Sequence, residues 1–275
     1  MSESLLEHGT KLILVLWNIF QSAISEASLM KFGLKLHSSN HLLYRDAIDA
    51  IESGLADYLE LTYFSSKTSN LDLLRESKIP IVLHSAHAGQ GVNYSGPELD
   101  RNMRELAALI RAADHLDAQY IIVHSDRGQI ENLVKVLTTV PDSRLLVENM
   151  PKAAVAGGDC VGFSQEELGF IMKKCSCGFC LDFGHAFKAA LSLDISFGVF
   201  CNTLLALRPS MFHMAQGGSA VEYDEHLDLD QGEIDLSYVK DVIHDVGLES
   251  FVTIEVPFKD GIKNTLKNIE YIAAL

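Results

Sequence analysis

Eight short apolar runs, separated by stretches of helical spacing, recur along this chain. They are 31–37 (KFGLKLH), 56–63 (ADYLELTY), 80–84 (PIVLH), 120–124 (YIIVH), 144–148 (RLLVE), 179–182 (FCLD), 210–213 (SMFH) and 251–255 (FVTIE). Runs this short and continuously apolar read as parallel strands covered on both faces. Helical spacing fills 40–53, which Gly54 stops, then 71–77, 97–115, 130–139, 186–207 with a restart near Asp194, 236–246 and 259–274. Another helix starts at Ser164-Gln165-Glu166-Glu167, which matches a capping box. Eight strand–helix units point to an α/β fold closed into a (β/α)8 barrel. A doubly wound open sheet is the alternative, but no Gly-x-Gly-x-x-Gly follows the first run.

The chain has 275 residues, 48% of them hydrophobic, which suits one closed α/β domain over 30–275. Residues 1–29 precede it. Their most apolar part, 11–24 (KLILVLWNIFQSAI), is interrupted by Asn18, Gln21 and Ser22. It is shorter than the ~20 apolar residues of a membrane-spanning helix. No basic stretch of the signal-peptide kind precedes it, so no membrane association is expected. Met30 stands directly before the first strand. The leading segment therefore reads either as an N-terminal extension, helical and covering one end of the domain, or as a start assigned too early.

A net charge of −15 weighs against a bulk nucleic-acid binder. The five cysteines are odd in number in a large chain, which argues against a disulfide framework and for a reducing cytoplasm. Cys175-x-Cys177-x-x-Cys180 has the look of a soft-metal loop, but a turn before a strand, with Cys180 as a small buried residue, is the better account.

The strand endings carry the chemistry. The third run ends in His84, the fourth in His124, the fifth in Glu148, the sixth in Asp182 with His185 just after, the seventh in His213 and the eighth in Glu255. The polar stretch after the seventh adds Asp224 and His226. One polar residue closing an apolar strand is ordinary. Six consecutive strands closing in metal-ligand residues are not, and in a barrel these ends converge on one face. Imidazole nitrogens and carboxylate oxygens crowded there call for a divalent cation, zinc or manganese on ligand type. Nine candidate ligands exceed one ion, so one to three per chain are expected, with Glu148 placed to bridge.

On these residues the chain resembles the xylose isomerase-like TIM barrel superfamily, which includes sugar isomerases, epimerases and apurinic endonuclease IV enzymes. The resemblance spans roughly 30–275. It rests on Val147-Glu148-Asn149, Leu181-Asp182-Phe183-Gly184-His185-Ala186-Phe187, His213, the segment Asp224-Glu225-His226-Leu227-Asp228-Leu229-Asp230-Gln231-Gly232, and Ile254-Glu255. It implies a single-metal site of Glu148, Asp182, His213 and Glu255 in epimerase-type members, where the two glutamates also serve as the catalytic acid–base pair. Endonuclease IV adds ligands for two more zincs, and His84, His124, His185, Asp224 and His226 are their counterparts.

Other features pull away from the endonuclease. Its basic, aromatic loop after strand two is here the short Tyr63-Phe64-Ser65-Ser66-Lys67-Thr68. A tyrosine after the strand-three histidine is replaced by His87. An Asp-Arg-His motif reads Asp224-Glu225-His226, with an anion where the cation would be. Leu59-Glu60-Leu61 looks more like the sugar isomerases.

The balance favours a sugar or sugar-phosphate isomerase or epimerase. Glu148 and Glu255 would exchange protons at the metal. His185 would contact substrate, and Arg127 and Lys152 would hold a phosphate. The alternative is an endonuclease IV-like zinc phosphodiesterase acting on abasic DNA or another phosphoester, with all nine residues as ligands. A metal-binding protein without catalysis is the third possibility. A homo-oligomer is compatible with the sequence.

Overall fold

The computed structural model describes residues 30–66, 70–246 and 249–275. The 1–29 extension, and Lys67 and Thr68 of the loop after the second strand, lie outside the described residues. The strands are β1 (Met30–His37), β2 (Tyr58–Tyr63), β3 (Ile81–Ser85), β4 (Ile121–Val123), β5 (Leu145–Glu148), β6 (Gly178–Asp182), β7 (Met211–Met214) and β8 (Ser250–Ile254). They pair in parallel in chain order, and β1 closes on β8 to complete the barrel. The helices among the described residues are α1 (Tyr44–Glu52), α2 (Leu71–Ser77), α3 (Leu99–Leu116), α4 (Ile130–Thr139), α5 (Gln165–Cys175), α6 (Phe183–Ser192), α7 (Phe197–Leu205), α8 (Leu236–Asp245) and α9 (Lys263–Ala274). None of the helices among them is long and apolar enough to cross a membrane.

Two local departures from the sequence pattern have physical causes. Asn40 Oδ1 accepts from His37 N at 2.9 Å, and Asn40 O accepts from Leu43 N. That turn delays α1 until Tyr44, so Leu42 is 84% exposed and the buried stripe runs through Tyr44, Ala47 and Ile48. At α5, Ser164 Oγ accepts from Glu167 N at 3.3 Å, but the Glu167 carboxylate accepts from Gly162 N at 2.7 Å instead of closing the box. The 186–207 stretch divides near Asp194 as expected, into α6 and α7, and the φ of 54° at Asp194 breaks the helix. The cysteines are free and buried, with Cys180 inside the barrel.

Strand side chains alternate between two environments. One set, including Leu34, Leu36, Leu59, Leu61 and Leu83, packs outward against the helices. The other points into the barrel, where Tyr58, Val82, Ile122, Leu146, Cys180, Met211 and Phe251 form a separate apolar layer. Two residues further along the same strands come Glu60, His84, His124, Glu148, Asp182, His213 and Thr253. Each interior column is thus apolar below and polar above, and the polar layer rests on a packed floor.

Gly33 of β1 takes part in this floor. A Cβ there would lie 2.3 Å from Cζ of the Tyr58 ring. Tyr58 is fully buried and its hydroxyl shares a 2.7 Å hydrogen bond with Thr253 Oγ1, so the ring has little room to move. Gly33→Ala is expected to destabilise the chain by about 1–3 kcal/mol through overpacking. Urea denaturation checks this: an unchanged midpoint would show that the floor yields.

Candidate metal centre

The polar layer opens into a cavity of about 860 Å³ at the carboxyl ends of the strands. His84 and Glu148 stand on β3 and β5, Asp182 ends β6, and His213 lies on β7. His124 and Glu255 directly follow β4 and β8, and His185 occupies the first turn of α6. Asp224 and His226 come from the loop after β7.

Their ligand atoms fall into three adjoining groups, each within a 4.8 Å span. The first is Glu148, Asp182, His213 and Glu255. The second is His84, His124 and Glu148. The third is Asp182, His185 and His226. Asp224 belongs beside the third, because its Oδ2 lies 2.9 Å from His226 Nδ1 and 3.5 Å from His185 Nε2. Glu148 stands between the first two groups. Its Oε2 faces His84 Nε2 at 3.2 Å and His124 Nε2 at 3.0 Å, while its Oε1 faces His213 Nδ1 at 3.1 Å. A fourth combination, Glu60, His84, His213 and Glu255, overlaps the first. Glu60 Oε2, however, accepts from His213 Nε2 at 2.9 Å and from Thr253 Oγ1 at 2.6 Å. Glu60 therefore orients the His213 ring.

Hydrogen bonding on the far side of each ring decides which nitrogen is free. His84 Nδ1 donates to Ser85 O at 2.7 Å, His185 Nδ1 to Asn149 O at 2.9 Å, and His213 Nε2 to Glu60. The nitrogen left on each ring then points at carboxylate oxygens. For His213 Nδ1 these are Glu255 Oε1 at 2.8 Å, Glu148 Oε1 at 3.1 Å and Asp182 Oδ2 at 3.9 Å. Asp182 Oδ2 has no hydrogen-bond partner although the residue is fully buried. Lone pairs facing lone pairs in a buried site require a cation between them, either a proton or a metal ion. The donor set, imidazole plus carboxylate, fits zinc or manganese.

Without an ion, protons take part of this role. Burial works against charging His124 and His185, but Glu148 and Asp126 raise His124 to about 10, and Asp182 and Asp224 raise His185 to about 9. Burial likewise opposes a charge on His213, and the acidic groups around it, Glu255, Glu60 and Glu148 among them, still hold it well above the usual imidazole range. His84 differs: burial, with Lys35 nearby, pushes it down. Burial also pushes Asp182 up to about 6.

Other residues stand out that the strand endings did not mark. Lys35 of β1 lies in the cavity wall, paired with Glu255 Oε1 and 3.0 Å from Glu60 Oε1. Burial opposes its charge, yet Glu255, Glu60 and Glu148 together keep it an ammonium. Asn149 donates through Nδ2 to Asp182 O at 2.9 Å and accepts from Asp182 N at 2.8 Å, which locks β5 to β6 beneath the ligands. The available signal was a charged residue inside an apolar strand, Leu34-Lys35-Leu36 and Leu59-Glu60-Leu61, at paired positions. Arg127 lines the cavity, but its Nη1 donates to Ala156 O at 3.2 Å and Gly157 O at 2.7 Å. Lys152 is not among the lining residues and lies 4.0 Å from Asp159.

No curated protein matches the chain in sequence. Among solved structures, a D-tagatose 3-epimerase-like protein superposes with a TM-score of 0.69 at 19% identity, over 89% of this chain and 96% of that one. Endonuclease IV from Thermus thermophilus gives 0.68 at 21% identity, over 89% and 98%. A second protein from Thermus thermophilus, in a crystal soaked with ZnCl2, gives 0.64 at 19%, over 89% and 98%. At these identities the likeness is one of fold. The xylose isomerase-like TIM barrel family itself matches residues 48–275, which takes in seven of the eight strands, and the chain belongs to that family.

Proposed function

We propose that this chain is a divalent-metal-dependent hydrolase of small phosphoesters, with three ions held by the nine ligand residues. The observation that carries this is Glu148, whose two oxygens face separate ligand groups while His185, Asp224 and His226 assemble a third. Ions in such a site polarise phosphoryl oxygens and lower the pKa of water for attack. Glu148 and Asp182 each belong to two groups and fix the groups' mutual placement. Lys35 lies in the wall beside Glu255, where its ammonium offsets the carboxylates and can meet a phosphoryl oxygen. Asn149 and Glu60 hold His185 and His213 in the tautomers described above.

On the Glu148 geometry we rank hydrolysis ahead of isomerisation, reversing the sequence-based preference, and Glu225 no longer counts against it. Its carboxylate accepts from buried Lys188 at 2.5 Å, so the anion of the Asp224-Glu225-His226 segment is neutralised and does not repel phosphate. The small-substrate choice follows from the cavity wall. Lys35 and Arg127 are the lysine and arginine residues lining it, Arg127 is engaged by backbone carbonyls, and 153–156 with Val256, Pro257 and Phe258 make an apolar rim. Duplex DNA needs many phosphate contacts, and this mouth offers few.

A sugar or sugar-phosphate isomerase or epimerase is the second reading. The four-residue group alone suffices for one ion, with Glu148 and Glu255 as the acid–base pair and His185 on substrate. The scarcity of free cations among the described residues of the mouth favours an uncharged sugar.

Metal content separates the two. Dialysis against zinc is expected to load three ions per chain, and Asp224→Ala to load two while lowering hydrolysis of bis(p-nitrophenyl) phosphate on the order of 10²-fold. One manganese per chain, unchanged in Asp224→Ala, with interconversion of ketose epimers, would overturn the hydrolase assignment.

The raised histidines also fix the sign of a pH dependence. His124 and His185 stabilise the ion-free chain below the ordinary histidine pKa, and this contribution is lost as pH rises through about 9 to 10. The ion-free Tm is therefore expected to fall from neutral pH to about pH 10. Metal must displace those protons, so the increment in Tm from added zinc should grow over the same range. Thermal melts with and without chelator check both slopes; an increment independent of pH would contradict the assignment of these rings as ligands.

A further inference from the structure

Lys188 lies on α6, one turn beyond His185, and is 1% exposed. A buried ammonium persists only where its three N–H groups find acceptors. Here they are Gly218 O at 2.6 Å, Val221 O at 2.9 Å and Glu225 Oε2 at 2.5 Å. All three belong to the loop that carries Asp224 and His226. Glu225 Oε2 also accepts from Gly218 N at 3.1 Å, closing the loop on itself around the ammonium.

The loop has further anchors at its base. Gln216 and Leu227 exchange backbone hydrogen bonds at 3.1 and 2.9 Å, which ties the two ends together. Between those ends, His226 holds a left-handed backbone with φ of 50°. A non-glycine residue keeps that conformation only where its surroundings over-determine it. Lys188 supplies contacts at 218, 221 and 225 within this stretch. Residues three apart on a helix share a face. One face of α6 therefore offers His185 to the ligand group and Lys188 to the loop that brings the other two ligands.

We propose that Lys188 is a positioning residue for the third ligand group: it sets Asp224 and His226 opposite His185, and with Glu225 it determines whether an ion is held there. This rests on the three-ion reading above. The hydrogen bonds of Lys188 go to the loop and to none of the nine candidate ligand side chains, so it acts on the site through the loop. The first and second groups stand on strand ends that the loop does not carry.

The test is zinc stoichiometry and affinity, measured by equilibrium dialysis and by chelator competition on the full chain. Lys188→Met, which keeps the length of the side chain, is expected to bind two zincs where the unsubstituted chain binds three. Glu225→Gln keeps a hydrogen-bond acceptor for Lys188 on a partly exposed side chain and removes only the charge. It is expected to weaken the third zinc about tenfold or more while the other two hold their affinity. Glu225→Gln answers the question if Lys188→Met does not fold. A role in stability alone would lower the Tm of either variant and leave three zincs with unchanged affinities, which overturns the inference. Fewer than three zincs in the unsubstituted chain would overturn the three-ion reading, and this inference with it.

Discussion

Four carboxylates, Glu60, Glu148, Asp182 and Glu255, are buried in the upper barrel among imidazoles whose free nitrogens point at them. Nothing else among the described residues is so dependent on a compensating charge. An ionised carboxylate is costly to bury without a partner. Lys35 answers for part of it, paired with Glu255 and Glu60, and protons on His124, His185 and His213 answer for more when no metal is bound. The remaining mismatch, His84 against Glu148 and the unpartnered Asp182 Oδ2, is of a kind that a divalent ion removes. The apolar floor beneath keeps this layer from sinking into the barrel or admitting water from below.

The strands, and the polar residues gathered at their carboxyl ends, were legible because both depend on short-range rules. A parallel strand covered on both faces is apolar throughout, and a polar residue that closes it lies at the barrel mouth. Lys35 and Glu60 were not legible by the same rule, since they sit inside strands instead of at their ends. Their meaning emerges once the barrel closes and the period of two divides each strand into an outward face and an inward column. Tyr58 and Glu60, or Val82 and His84, are then the same apolar-then-polar step repeated around the ring. The 3-10 turn at His41–Leu43 escaped because a helical stripe that is one turn too long looks the same in sequence.

Loop orientation was the least legible feature, and it changed the functional argument most. In sequence, Glu225 between Asp224 and His226 looks like an anion facing the substrate. In the fold it turns away, because Lys188 one helix over needs a carboxylate as its third acceptor. Local pattern carries no information about that choice: the two residues are 37 apart, and either could have faced solvent. Arg127 is the converse case. It lines the cavity as its position suggests, yet its guanidinium is already occupied by the carbonyls of Ala156 and Gly157.

Residues 182, 185 and 188 draw these threads together. β6 passes into α6 with no intervening loop, so Asp182 is both the last strand residue and the helix N-cap, its Oδ1 accepting from His185 N at 2.6 Å. That bond uses one carboxylate oxygen and leaves Oδ2 for the ligand cluster. Three residues on, His185 carries the third group, and three further, Lys188 holds the loop that completes it. A helix places such residues on one face at a fixed rise. The segment Asp182-Phe183-Gly184-His185-Ala186-Phe187-Lys188 therefore sets, with no adjustable loop, the distance between the core of the site and the group added to it. Inserting or deleting one residue would rotate Lys188 by about 100° relative to Asp182, and Asp224 and His226 would lose their register with the strand-borne residues.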